Sequence, residues 1–241
     1  MQEQFDKLFR DGSDYDEINT NGNGATEETP KAAKKAAPKN EEQFDLFGFT
    51  DEDTSSASEN AYYATLENTE HFYQIIQGDL ALKLLLQNLE KQTTVCFDTE
   101  TTGLDALTAE LVGIAFSYEK GKGFYVPFPE NQEDANALME KFIPFFENEN
   151  IEKVGQNLKY DLKILSNYNV SLKGKLFDTM IAHYLINPDM RHNMDVLSET
   201  YLKYAPKTID ALIGKKGKNQ KSMRDVALEE VKEYAVEDAD I

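Results

Sequence analysis

Five side chains of this 241-residue chain have types and spacings that could do chemistry together: Asp98, Glu100, Asp161, Tyr234 and Asp238. Asp98 and Glu100 stand in "VCFDTETTGLD", at the end of an apolar run. Residues two apart on a strand point to the same face, so these carboxylates project together while Val95 and Phe97 turn to a core. Asp161 opens a helical pattern in "GQNLKYDLKIL". Asp238 lies in the last helical stretch, where Val231, Tyr234, Ala235 and Asp238 form one stripe. Glu229, Glu230, Glu233 and Glu237 are assigned to other faces. Tyr234 and Asp238, at i and i+4, then stand one above the other on the inward side.

Four carboxylates converging without counter-charge repel one another, and their pKa values rise. Two divalent cations carry as much positive charge as four carboxylates carry negative. Oxygen ligands with no His or Cys point to Mg²⁺ or Mn²⁺ rather than zinc. Such a pair stabilises both the attacking and the leaving oxygen of a phosphoryl displacement. Each pattern is weak alone, since a D-x-E pair on a strand is more often structural.

The elements that must position these groups are legible in outline. "HFYQIIQGDLALKLLLQNLEKQ" reads as a short apolar segment and then a helix with Leu80, Leu82, Leu84, Leu85 and Leu89 as a buried stripe. "TTVCFDTETTG" is a strand, and "ELVGIAFSYEKGKGFYVPF" a hairpin turning at "EKGKG". "EDANALMEKFIPFFENE" is helical until Pro144, "KVGQNL" is a short strand, and "KYDLKILSNYN" a helix. Asp178 N-caps a helix that stops at Pro188, "MDVLSETYLKY" is another helix, and "MRDVALEEVKEYAVEDADI" closes the chain. The order predicts an α/β architecture, a mixed β-sheet flanked by α-helices.

Residues 1–60 have another character. They hold 15 Asp/Glu against 6 Lys/Arg and few aliphatic residues, which predicts a disordered acidic tail ahead of a domain over 61–241. A net charge of −19 argues against binding nucleic acid by bulk electrostatics, so a polyanionic substrate needs a local basic patch or metal ions. Cys96 is the only cysteine and reads as a small core residue. No membrane span or signal peptide is apparent, and a cytoplasmic location fits.

"FDTETTGLD", "VGQNLKYD" and "YAVEDAD" resemble the three motifs of DEDD-type 3′–5′ exonucleases. "FDTMIAHYLINPDMRHNMDVLSETYL" and "GKKGKNQKSM" are similar to the proofreading exonuclease domain of bacterial DNA polymerase I, over roughly residues 75–241. The resemblance implies a ribonuclease H-like fold, two bound metals and stepwise release of 5′-nucleotides from a DNA 3′ end. It implies that Asp98 bridges both metals, that Glu100 and Asp238 complete the site of the attacking water, and that Asp161 holds the second metal. Tyr234, four residues before Asp238, matches the tyrosine subclass, in which the phenol orients that water. Position 233 is Glu, which excludes the histidine subclass.

For several residues two readings stand. Gln156 and Asn157 contact substrate or satisfy backbone groups. Leu104 resembles the family's wedge against the terminal base, or is a core leucine. Arg191 resembles a phosphate-contacting arginine, or is a surface arginine. Asp178 is an N-cap, with a role behind the site as the other reading. "KKGKNQK" (215–221) guides single-stranded DNA or is a solvated loop. His183 and His192 do not suggest a metal pair. In the family a polymerase domain follows directly, whereas this chain ends three residues past Asp238, so a fragment of a longer polymerase is expected. A ribonuclease D-like exoribonuclease and an inactive structural domain are the alternatives. Gln43–Phe47 in "EQFDLFGF" resembles peptides that bind the bacterial sliding clamp, with a looser copy from Gln4.

Overall fold

The structure, a computed structural model, describes residues 63–217 and 219–241. The tail assigned to residues 1–60, the Gln43–Phe47 segment and its copy at Gln4 lie outside the described residues.

In chain order come β1 (Phe72–Ile75), α1 (Asp79–Leu89), β2 (Thr94–Thr101), β3 (Leu111–Glu119), β4 (Lys122–Pro127), α2 (Gln132–Glu140) and α3 (Ile143–Phe146). There follow β5 (Glu152–Gly155), α4 (Leu158–Asn167), β6 (Leu176–Asp178), α5 (Thr179–Ile186), α6 (Met194–Leu197), α7 (Ile209–Ile213) and α8 (Leu228–Asp240). The six strands form one sheet in the order β1-β4-β3-β2-β5-β6. The β2–β3 and β3–β4 pairs are antiparallel. The β1–β4, β2–β5 and β5–β6 pairs are parallel, so the sheet is mixed as expected. The edge strands β1 and β6, four and three residues long, are too short to show a period in sequence.

Helices cover both faces. On one, Phe97, Ile114 and Phe116 pack with Leu82, Leu85 and Leu89 of α1, Met139 of α2, Phe145 and Phe146 of α3, and Ile164 and Leu165 of α4. On the other, Val112, Ala115 and Tyr125 pack with Val231, Ala235, Val236 and Ala239 of α8. Central strand β3 is buried on both sides, which is why "LVGIAF" reads as a continuous apolar run rather than an alternating one. Among the described residues no helix is long and apolar enough to cross a membrane.

Three local expectations change. Leu80 and Leu84 are exposed, while Leu82, Leu85 and Leu89 are buried. At about 100° per residue the buried three cluster on one side of α1, and Leu80 and Leu84 fall on the opposite side. The helix expected over "MDVLSETYLKY" is a single α-turn, α6, running into a π-turn (Ser198–Leu202) that Lys203 ends in the left-handed region at φ 56. The last stretch begins as a separate 3₁₀ turn (Met223–Asp225) capped by Ser222, and α8 starts only at Leu228. Pro144 behaves as read: α2 stops before it and it sits in the first turn of α3, where its missing N–H costs nothing.

Candidate active site

Carboxylate oxygens of Asp98, Glu100 and Asp238 lie within 4.8 Å of one another. Strand β2 supplies two of them and α8, packed over the same face, the third. A register shift at Glu100/Thr101 kinks the β2–β3 ladder beside the trio, and pairing resumes at Thr101 and Leu111. Asp161 is not brought into this group. Its Oδ1 accepts from the Thr99 hydroxyl at 2.5 Å and the Thr99 N–H at 3.2 Å, which ties α4 to β2 beside Asp98.

Asp178 sets the start of α4. Its Oδ2 accepts from Leu158 N–H at 2.9 Å, and its Oδ1 from Asn157 N–H at 3.2 Å and Ile181 N–H at 3.1 Å. One carboxylate therefore caps two helices, α4 and α5, as the N-cap reading of Asp178 expects for α5. Asn157 turns the chain into α4 in the left-handed region, at φ 59, with no side-chain capping bond of its own.

Charge is concentrated with little relief. Burial pushes the Asp98 carboxyl up to about 6, against a hydrogen bond from the Thr99 backbone that lowers it. Glu100, Asp161 and Asp238 are held well above the usual carboxylate range, first by burial and next by the charge of Asp98. Glu100 Oε1 is buried with no hydrogen-bond partner. An all-oxygen donor set with an orphaned anionic oxygen suits a hard divalent cation. Tyr234 is half-buried on α8 and its hydroxyl donates to Asp238. Burial and the Asp238, Glu100 and Asp98 charges push that phenol far up, so it keeps its proton.

The remaining predicted contacts separate. Leu104 is 87% exposed, which removes the core reading. Its loop is anchored by Tyr160, whose hydroxyl donates to Gly103 O at 2.5 Å and shares a hydrogen bond with Thr101 at 2.6 Å. Gln156 donates to His192 O at 2.6 Å and accepts from the Thr179 hydroxyl, so it braces backbone. Arg191 is exposed in the turn between α5 and α6. Lys215, Lys216 and Lys221 of the basic run are exposed, and Lys218 lies outside the described residues.

Other partnerships were not anticipated. His183 and His192 meet, with Nδ1 to Nδ1 at 2.7 Å, and His183 Nε2 bonds Tyr201 OH at 3.0 Å. The turn at Pro188 folds the chain back on itself, so a spacing that reads as distant is close in space. Three acids of α8 form a second stripe at i, i+4 and i+7, and only that spacing could have signalled it. Glu233 pairs with His71 at 3.0 Å. Fully buried Glu237 accepts from Tyr204 OH at 2.6 Å and Lys207 N–H at 2.9 Å. Asp240 accepts from Tyr73 OH at 2.8 Å and Gly121 N–H at 2.9 Å. These bonds pin the helix carrying Tyr234 and Asp238 to β1, the β3–β4 turn and the 204–207 segment.

Residues 73–241 match the family described as 3′–5′ exonuclease. DNA polymerase I of Pseudomonas aeruginosa is 32% identical over 198 residues, covering 78% of this chain and 22% of that protein. DNA polymerase I of Borreliella burgdorferi is 33% identical over 196 residues, covering 80% of this chain and 21% of that protein. The chain thus spans about a fifth of the length of these relatives. Among solved structures, Escherichia coli RNase D, an exoribonuclease involved in structured RNA processing, aligns with TM-score 0.53 and 18% identity over 70% of this chain and 42% of that one. Brucella melitensis NrnC with bound Mg²⁺ aligns with TM-score 0.50 and 18% identity over 73% of this chain and 75% of that one. At such identities the likeness shows the fold, which is the ribonuclease H-like one expected.

Proposed function

The chain belongs to the family of 3′–5′ exonuclease domains of the DNA polymerase I type, and on that premise we propose that it hydrolyses single-stranded DNA from the 3′ end to 5′-nucleotides with two divalent cations, Mg²⁺ or Mn²⁺. The observation that carries the reading is the trio Asp98, Glu100 and Asp238 with its carboxylate oxygens within 4.8 Å of one another. The unpartnered Glu100 Oε1 belongs to the same cluster. Asp98, central to the trio and beside Asp161, would be the shared ligand, with Glu100 and Asp238 to one side and Asp161 to the other. When bound, the cations acidify a water and neutralise charge on the scissile phosphate and the leaving oxygen.

The chain's own residues do the rest. Tyr234, protonated and bonded to Asp238, presents its phenol oxygen to orient a water. Exposed Leu104, on a loop that Tyr160 holds beside β2, offers an apolar edge to the last base. Arg191, Lys215, Lys216 and Lys221 are exposed cations that meet phosphates locally in a chain of net charge −19. Gln156 serves by holding the His192 segment next to Arg191. The same proposal extends to a polymerase domain in the whole protein and to a clamp contact through Gln43–Phe47. Titrating a peptide of residues 38–52, beside a Leu46→Ala/Phe47→Ala control, tests the latter.

The test is digestion of a 5′-labelled DNA oligonucleotide and its RNA counterpart, with Mg²⁺ and with EDTA. The DNA shortens from its 3′ end only with metal, and Asp98→Ala removes nearly all of that activity. Cleavage unchanged in EDTA, or shortening from the 5′ end, refutes the reading. Faster loss of the RNA redirects it to a ribonuclease D-like activity.

A further inference from the structure

Like Glu100 Oε1, the hydroxyl of Tyr125 is a buried polar atom without a partner. The sheet register explains how a residue on β4 reaches β2. Asp98 pairs with Ala115, and Ala115 with Tyr125, so the three share a row and a face. Glu100 pairs with Gly113 in the next row but one. The Tyr125 ring runs along the sheet into that row: a Cβ added at Gly113 would lie 2.1 Å from the Tyr125 hydroxyl. Glycine at 113 is therefore the opening through which the phenol passes toward Glu100. The ring is wholly buried under α8, among Val112, Ala115, Val231 and Ala235. Burial first, and then the charge of Glu100, push this phenol far up, which agrees with a proton facing a nearby carboxylate.

Packing alone would be served better by phenylalanine, because a buried hydroxyl with no partner is a standing cost. A donor over Gly113 and an acceptor on the residue paired with Gly113, both dry and both unsatisfied, share one face at the edge of the carboxylate trio. Hydrogen bonds of active sites are commonly long before the site is loaded and tighten afterwards. We propose that Tyr125 is a positioning residue: with a cation on the trio, its hydroxyl donates to Glu100 and fixes the orientation in which that carboxylate binds. The inference rests on the metal-dependent exonuclease reading, and it concerns a residue that touches neither the cation nor the substrate.

The experiment compares the full chain with Tyr125→Phe, which removes one oxygen and keeps the ring. Melting temperature is followed against Mn²⁺ concentration, and cleavage of single-stranded DNA is followed against the same titration. Outer partners of metal ligands are typically worth 10–100-fold in metal affinity, so the Mn²⁺ midpoint of the thermal shift should rise by about tenfold or more. Cleavage should fall at limiting Mn²⁺ and recover at high Mn²⁺. In a Glu100→Gln background Tyr125→Phe should leave the midpoint where it is, a coupling that a role in packing would not produce. An unchanged midpoint in the single variant, together with an equal or higher melting temperature in EDTA, overturns the proposal. So does an equal midpoint change in the Glu100→Gln background. A chain that gives the Mn²⁺ shift but cleaves nothing refutes the exonuclease reading, while the midpoints still decide for or against Tyr125.

Discussion

Replacing Asp98 with asparagine should make the metal-free protein more stable while disabling it. The side chain is half-buried at the centre of the carboxylate group, and burial raises its pKa from 3.8 to about 6. A folded-state pKa above the unfolded one means that the native chain binds more protons between those values. Stability is then fullest below about pH 4 and declines as pH rises through about 6. The shift corresponds to about 3 kcal/mol lost by neutral pH, as an order of magnitude. The asparagine side chain would carry no charge to lose. In EDTA at pH 7.5, Asp98→Asn should therefore melt roughly 6–12 °C above the unaltered chain, at about 2–4 °C per kcal/mol for a domain of this size. At pH 4 the two should nearly coincide, because the native aspartate is then protonated as well. In Mn²⁺ at a hundred times its dissociation constant the unaltered chain gains about 2.7 kcal/mol, and the advantage of the variant should shrink or reverse. Thermal and urea unfolding across pH 4–8, with EDTA or Mn²⁺, measure all of this. An Asp98→Asn variant no more stable than the unaltered chain in EDTA at pH 7.5 would refute the claim that burying this charged carboxylate costs the metal-free fold stability.

Tyr234→Phe should keep the fold and the Mn²⁺-induced rise in melting temperature but lose kcat by about 10–10²-fold, the usual size of an acid–base or positioning contribution. Equal rates for the two proteins would return Tyr234 to packing. Asp178→Ala removes one carboxylate from three backbone N–H groups at two helix starts, which should cost about 2–3 kcal/mol in urea unfolding, with Asp178→Asn losing less. A loss under about 0.5 kcal/mol would show that water replaces the cap.

What the sequence makes legible is whatever depends on near neighbours. The D-x-E face of β2, the β3–β4 hairpin, the Asp178 cap and the stripe of Val231, Ala235 and Asp238 all follow from periods of two or 3.6 and from local hydrogen bonding. What stays hidden depends on which distant element arrives on a given face. The leucines of α1 span both sides of a helix, and only packing against the sheet selects Leu82, Leu85 and Leu89. Glu237 reads as solvated because nothing nearby in sequence announces Tyr204 and Lys207. The phenol of Tyr125 reads as an ordinary strand aromatic until strand register places it over Gly113. His183 and His192 meet only because the chain reverses between α5 and α6.

The bonds that hold α8 also set a clock. Tyr73 and Asp240 are 167 positions apart in the chain and join the first strand to the last helix. At roughly 5–20 residues per second of synthesis, on the order of ten seconds separate their appearance. Through most of that interval β2 already carries Asp98 and Glu100, yet Asp238 does not exist and the face that α8 will cover is open. A nascent chain, or one stopped short of α8, thus holds two of the trio's three carboxylates and lacks Tyr234, the phenol proposed to orient a water. On the proposed mechanism hydrolysis becomes possible only when α8 seats, so a destructive activity would be withheld until the domain that confines it is finished.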